Sequence, residues 1–149
     1  MSSNLAYTWP MTPTAPTPLE LMDRFAQAAA GYYRHFAAVA AERGLTLMQG
    51  KMLSLLRRPM PMRSLADLLA CDASNVTGIV DRLEARGLVR REVDPADRRI
   101  KNVVLTAAGE EAVRGIRAEL MSSLTGLEGM SEEERASFQH LLGRAFPLG

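Results

Sequence analysis

Residues 72–106 read DASNVTGIVDRLEARGLVRREVDPADRRIKNVVLT, and this stretch decides the fold. Asp72 precedes an apolar stripe at Val76, Ile79, Val80 and Leu83, the three- and four-residue spacing of a helix with one buried face. An aspartate there predicts an N-cap whose carboxylate accepts from the amides of Ser74 and Asn75. Ser74, Asn75, Gly78, Asp81, Arg82 and Ala85 fall on the opposite side, and Gly87 supplies the stop. Residues 88–93 (LVRREV) and 101–105 (KNVVL) are β-rich and predict two strands. Between them Asp94-Pro95-Ala96-Asp97 has Asp at the first and Pro at the second position of a type I turn, with Arg98 and Arg99 at the tip. A helix presenting small polar groups, followed by an arginine-tipped hairpin, predicts a recognition helix and a β-wing. Such a tip is placed for the minor groove, where enhanced negative potential attracts guanidinium groups.

Working upstream, residues 64–70 (SLADLLA) predict a short helix with Leu65, Leu68 and Leu69 inward, completing a helix-turn-helix over about 63–86. Thr46 and Gln49 form a capping-box pattern that opens a helix running to about Arg57. Pro59 and Pro61 end it, leaving Met60 and Met62 in an extended segment suited to a short edge strand against the wing. Methionines in that position read mainly as core filling. From Pro18 a long alanine-rich helix carries Leu21, Phe25, Ala28, Tyr32, Phe36 and Val39 on one face and stops at Gly44. Its small residues imply a partner-facing surface as well as a core-facing one. Residues 1–17, with three of the eight prolines, predict a flexible arm that Tyr7 and Trp9 could anchor.

Downstream, Thr106 caps a helix with Val113, Ile116, Leu120, Leu124 and Leu127 on one face, broken at Gly126 and Gly129. Ser131 and Glu134 form a second capping box, and the last helix is expected to bury Phe138, Leu141, Leu142, Ala145 and Phe146. With the first helix, these two are candidates for a dimer interface.

The chain has 149 residues, of which 47% are apolar, enough for one domain with a core. Net charge is +1, but residues 57–101 carry 10 basic and 7 acidic side chains while residues 102–149 carry 4 and 7. That asymmetry suits a basic contact face in the middle of the chain and an end that does not touch DNA. Arginine makes up 16 of the 18 basic residues, which suits phosphate recognition and follows equally from a G+C-rich genome. No run approaches the roughly 18 apolar residues of a membrane span. The N-terminus lacks a basic start and a long apolar stretch, so a cytoplasmic protein is expected. A single cysteine leaves no internal disulfide. There is no glycine-rich phosphate loop, and His35, His140 and Cys71 lie in separate segments, so neither an enzyme nor a metal site nor a cofactor is expected. Two alternatives stay open: a winged helix used for protein contacts, and a thiol-responsive regulator working through Cys71.

Residues 65–109 strongly resemble the MarR family of bacterial transcriptional regulators. Three features carry the resemblance: D-R-L-E-x-R-G-L-V from Asp81 to Val89, the wing tip Asp97-Arg98-Arg99, and L-T-x-x-G from Leu105 to Gly109. It implies a mainly α fold with a small β-wing, a winged helix-turn-helix over residues 18–147. Segments 18–43 and 107–147 would be dimerisation helices and 46–106 the DNA-binding module. It further implies a homodimer on a pseudo-palindromic operator, acting as a repressor released by a small aromatic or phenolic ligand. By position, Ser74, Asn75 and Gly78 would read bases, and Thr77 and Arg82 would bind phosphate. Arg99 would enter the minor groove braced by Asp97, with Arg90, Arg98 and Lys101 adding charge. Tyr32, His35, Met48 and Met52 are the expected effector pocket. Many relatives carry arginine where this chain has Gly78, so direct base reading is thinner here.

Overall fold

The structure is a computed structural model that describes residues 15–147. Tyr7, Trp9 and most of the expected arm lie outside those residues. The chain divides into two compact units, one up to Tyr32 and one from Tyr33.

Helix α1 spans Pro18–Ala41. In the first unit its start is fixed by a reciprocal cap: the Thr17 amide donates to Glu20 Oε2 (2.8 Å), and the Glu20 amide donates to Thr17 Oγ1 (3.3 Å). The Thr17 amide first, and then the Thr17 hydroxyl donating to the same Oε2 (2.9 Å), hold the Glu20 carboxyl below its ordinary range. Leu21 and Phe25 are exposed.

The second unit contains the end of α1 and everything after it. Helix α2 (Leu47–Leu55) begins with the expected capping box, Thr46 and Gln49 each serving the other's amide. It stops two residues short of Arg57, because the Leu56 amide turns back to the Leu53 carbonyl and the chain is already leaving the helix before Pro59. Strand β1 (Met60–Pro61) pairs with β3 (Lys101–Leu105), Met60 opposite Val103, so the expected edge strand forms. Strand β2 (Val89–Val93) pairs with the other side of β3, from Val89 opposite Leu105 to Val93 opposite Lys101. The sheet is antiparallel in the order β1-β3-β2.

Helices α3 (Met62–Leu69) and α4 (Ala73–Ala85) form the helix-turn-helix. Leu65 and Leu69 are buried, but Leu68 is 55% exposed, contrary to expectation. At about 100° per residue Leu68 lies roughly 80° off the line through Leu65 and Leu69, outside the narrow stripe that so short a helix buries. Val76, Ile79, Val80 and Leu83 of α4 join Phe36, Val39, Leu53 and Ile116 in one core. Met52 is fully enclosed there, and Met48, Met60 and Met62 pack against it, so the methionines fill core.

Helix α5 (Ala107–Ser123) buries Val113, Ile116 and Leu120. It ends before the glycines expected to break it. The hydroxyls of Ser122 and Ser123 both donate to the Glu119 carbonyl (2.8 and 2.7 Å), competing with the helical ladder, and Leu124 leaves helical geometry. A short α6 (Thr125–Glu128) follows, and α7 (Glu132–Ala145) starts from the expected Ser131–Glu134 box. The expected burial is not seen: Phe138, Leu141, Ala145 and Phe146 are exposed, Leu142 is half-buried, and α7 has no fully buried residue. Phe138 and Leu141 stand exposed along its apolar side.

One joint ties α4, the wing and α5 together. The Leu88 carbonyl accepts the Thr106 amide (3.1 Å), and the Thr106 hydroxyl donates to the Gly87 carbonyl while accepting the Gly109 amide (3.1 Å). A Cβ on Gly109 would fall 2.0 Å from the Leu88 oxygen. Only glycine permits that approach, which gives L-T-x-x-G its physical reason.

Candidate nucleic-acid interface

The first surface of interest is the outer face of α4. Asp72 Oδ1 accepts the Asn75 amide (2.7 Å) and the Ser74 hydroxyl (2.7 Å), so the cap engages Ser74 mainly through its side chain. The Ser74 hydroxyl and then the Asn75 amide hold the Asp72 carboxyl below its ordinary range. Ser74 therefore has its proton committed and offers lone pairs outward. The Thr77 hydroxyl donates to the Ala73 carbonyl (3.0 Å) and does likewise. The Asn75 carboxamide and the Arg82 guanidinium have no hydrogen-bond or ion-pair partner among the described residues, and both residues are exposed. A free carboxamide has the donor and acceptor needed for a bidentate bond to an adenine edge. At Gly78 an added Cβ would meet nothing within 4 Å, so neither packing nor backbone demands glycine there.

The second surface is the wing tip. Asp94 Oδ1 accepts the amides of Ala96 (2.8 Å) and Asp97 (3.1 Å), and its Oδ2 accepts Asn102 Nδ2 (2.7 Å) from buried Asn102 in β3. The turn is thus nailed to the sheet by one carboxylate, held below its ordinary range first by Asn102 and then by the two amides. Asp97 takes the Arg99 side chain in a fork, Nε to Oδ1 at 3.1 Å and Nη2 to Oδ2 at 3.0 Å, and its carboxyl is lowered by that guanidinium first. Arg99 is braced yet 90% exposed at its side chain. Arg98 and Lys101 are exposed with no partner among the described residues. Arg90 is different: it donates to Glu92 (Nε to Oε1, 2.8 Å) and to the Leu105 carbonyl, so its charge is engaged inside the wing.

Sequence reading missed the residue that joins these two surfaces. Arg91 in β2 donates to Asp81 through Nη2 and to Glu84 through Nη1, while its backbone amide donates to Glu84 Oε1 (3.2 Å). Asp81 and Glu84 lie three residues apart on one side of α4. The Arg91 side chain is only 24% exposed, so the network is shielded from solvent more than an isolated surface pair. Its guanidinium is raised above its ordinary range, by Asp81 before all else. The signal was in the sequence, as an acidic pair spaced D-x-x-E in the helix followed by an arginine in the next strand.

The expected effector residues differ in burial. Tyr32 belongs to the first unit, His35 and Met48 are half-buried, and Met52 is fully enclosed. His35 Nε2 is buried without a hydrogen-bond partner among the described residues. A separate open groove of about 390 Å³ is lined by Leu53, Leu56, Arg57, Leu105, Val113 and Arg117, with none of the four. Cys71 is half-buried in the turn between α3 and α4, packed against the core. Among the described residues there is no cluster of metal-ligating side chains and no helix long and apolar enough to cross a membrane.

A helix-turn-helix followed by a braced, arginine-tipped hairpin defines a winged helix-turn-helix protein. A sequence model of the MarR family matches residues 45–101. The HTH-type transcriptional repressor NicR of Pseudomonas putida is 40% identical over 83 residues, which cover 52% of this chain and 52% of NicR. The crystal structure of a probable transcriptional regulator from Pseudomonas aeruginosa is 32% identical, with a TM-score of 0.56 over 85% of this chain and 99% of that one. CouR from Rhodococcus jostii RHA1, solved bound to p-coumaroyl-CoA, shares the fold at 24% identity and a TM-score of 0.72, covering 87% of this chain and 94% of CouR. The chain belongs to the MarR family and is a DNA-binding transcriptional regulator.

Proposed function

We propose that the chain acts as a homodimeric repressor of a pseudo-palindromic operator, with α4 in the major groove and the wing tip in the adjacent minor groove. The observation that carries this reading is Arg99, which stands 90% exposed while Asp97 fixes its direction from both carboxylate oxygens. Holding a charged side chain rigid in solvent gains little stability, whereas it removes an ordering cost from a later contact. In this reading Asn75 and Ser74 read base edges beside Gly78, Thr77 and Arg82 meet phosphates, and Arg98 and Lys101 add salt-dependent attraction. Asp97 acts as the brace. The exposed apolar residues of α7 and of the N-terminal half of α1 support the dimer.

The test is a titration of selected operator duplex. Arg99→Ala is expected to weaken specific binding by roughly 1–3 kcal/mol with dimerisation intact. Unchanged affinity would remove the wing from the reading. Release by a small aromatic effector belongs to the same proposal. Its support is the His35 Nε2, buried with no hydrogen-bond partner among the described residues, together with the ligand named for CouR. An effector of this kind should raise thermal stability and operator dissociation together, since it must favour the DNA-incompetent state.

A further inference from the structure

Arg86 sits in the D-R-L-E-x-R-G-L-V stretch, and the DNA contacts proposed above make no use of it. Its place is the C-cap of α4. Helix α1 ends with Gly44 at φ +66, the Gly44 amide donating to the Ala41 carbonyl (2.9 Å) and the Leu45 amide to the Ala40 carbonyl (3.0 Å). That pairing satisfies two of the last carbonyls and leaves those of Arg43 and Gly44 beyond the helix end. The Arg86 guanidinium takes both, Nη1 donating to the Gly44 oxygen (2.7 Å) and Nη2 to the Arg43 oxygen (2.8 Å). A planar fork reaching two oxygens is a geometry that arginine makes and lysine does not. A cation at the C-terminal end of α1 also meets the negative end of that helix.

The same corner is tied to α5. Arg43 Nη1 donates to the Val39 carbonyl (3.1 Å) and to Glu119 Oε2 (2.9 Å). The end of α1 is therefore held by α5 through the side chain of Arg43 and by α4 through its backbone oxygen. Core packing and Arg91 hold the body of α4, and the two directed bonds from its C-cap residue fix its C-terminal end to the end of α1.

We propose that Arg86 is a positioning residue for operator recognition: it fixes the recognition helix to the ends of α1 and α5, and so sets the separation of the two recognition helices in the dimer. The inference rests on the dimeric DNA-binding reading given above. Arg86 touches no base in this account and acts through α4. Its bonds lie at the surface, so removal leaves carbonyls that water can satisfy. The core stripe of α4 stays in place.

The experiment measures spacing preference, which a residue with a merely structural role would not move. Full-length wild type, Arg86→Ala and Arg86→Lys are each titrated against duplexes carrying the selected half-sites with the spacer varied one base pair at a time, and against a single half-site. Wild type is expected to prefer one spacing sharply. Arg86→Ala should lose roughly five- to tenfold of the preference for that spacing over its neighbours, with the half-site consensus and single-half-site affinity retained. Arg86→Lys, which keeps the charge without the fork, should fall between the two and guards against loss of fold in the alanine variant. A spacing profile identical in wild type and both variants overturns the inference, even if affinity falls uniformly. A wild-type chain that enriches no paired half-sites overturns the dimeric DNA-binding reading itself, a result distinct from the first.

Discussion

Helix α4 places Val76, Ile79, Val80 and Leu83 in the core with no more than 8% of any of them exposed, whereas α7 leaves Phe138 at 45% and Leu141 at 56%. Both are amphipathic helices of similar length, 13 and 14 residues, with side-chain caps at their starts. Locally α7 is the better made of the two. It has a reciprocal capping box, three glutamates in its first turn and Arg144 in its last, each matched to the helix dipole. Yet a helix of that length is marginal in water without tertiary packing. Helix α4 has its packing within the chain, on one side through the core and on the other through Arg91. Helix α7 has an apolar face that awaits a cover. The contrast teaches that capping and periodicity specify a helix and its apolar side, while the element that covers that side is a separate matter.

The strongest way to break this contrast is to truncate one leucine from each helix. Leu83→Ala should cost about 2–5 kcal/mol of unfolding free energy, because Leu83 is fully enclosed and its removal leaves a cavity. Leu141→Ala should cost little in a urea titration of dilute, monomeric chain. Its effect should appear instead in sedimentation equilibrium, as a weaker monomer–dimer association. If Leu141→Ala destabilises the dilute chain as much as Leu83→Ala does, α7 is covered from within and the contrast fails.

A pair of glycines sharpens the same comparison within the DNA-binding module. Gly109→Ala puts a Cβ 2.0 Å from the Leu88 backbone oxygen, so the joint between α5 and the wing must open. A loss of about 1–3 kcal/mol or more is expected by thermal denaturation. Gly78→Ala meets open space in the middle of α4 and should gain up to about 1 kcal/mol through helix propensity. If Gly78→Ala also keeps full operator affinity, close approach to DNA is not what glycine supplies there. A destabilising Gly78→Ala would show that the outer face of α4 is covered after all.

Much of the module was legible in the sequence because its signals are local. The Asp72, Thr46, Thr106 and Ser131 caps, the left-handed stops at Gly44 and Gly87 and the hairpin around Asp94-Pro95 each depend on residues within a few positions of one another. The resemblance to a family then supplied the order of the parts. The misses are non-local. Arg90 and Arg91 fall side by side in one expected strand, and only the fold shows which of the two faces Asp81 and Glu84. Arg86 reaches carbonyls more than 40 residues upstream, and no spacing rule announces such a bond. Leu68 and the α7 residues were placed inside because apolar periodicity carries no information on how wide a stripe is covered, or by what.

The smallest expected effect is the acid response, and it too separates the module from α7. Asp72, Asp94 and Asp97 all have carboxyls held below their ordinary value, by Ser74, Asn102 and Arg99 respectively before other causes. A carboxyl lowered in the folded state contributes stability that is present above its unfolded value, about 3.9, and is lost as the pH falls through the folded value. The three groups therefore contribute fully from neutral pH down to about 5, and the contribution fades below about 4. They cap α4 and hold the wing, so the Asn75, Ala96 and Asp97 amides should lose hydrogen-exchange protection first on acidification. Asp94→Asn should flatten the acid limb for Ala96 and Asp97 while leaving Asn75, which depends on Asp72, to follow the wild-type curve. If all three amides keep the wild-type acid dependence in that variant, the wing turn is held by something other than the Asp94 carboxylate.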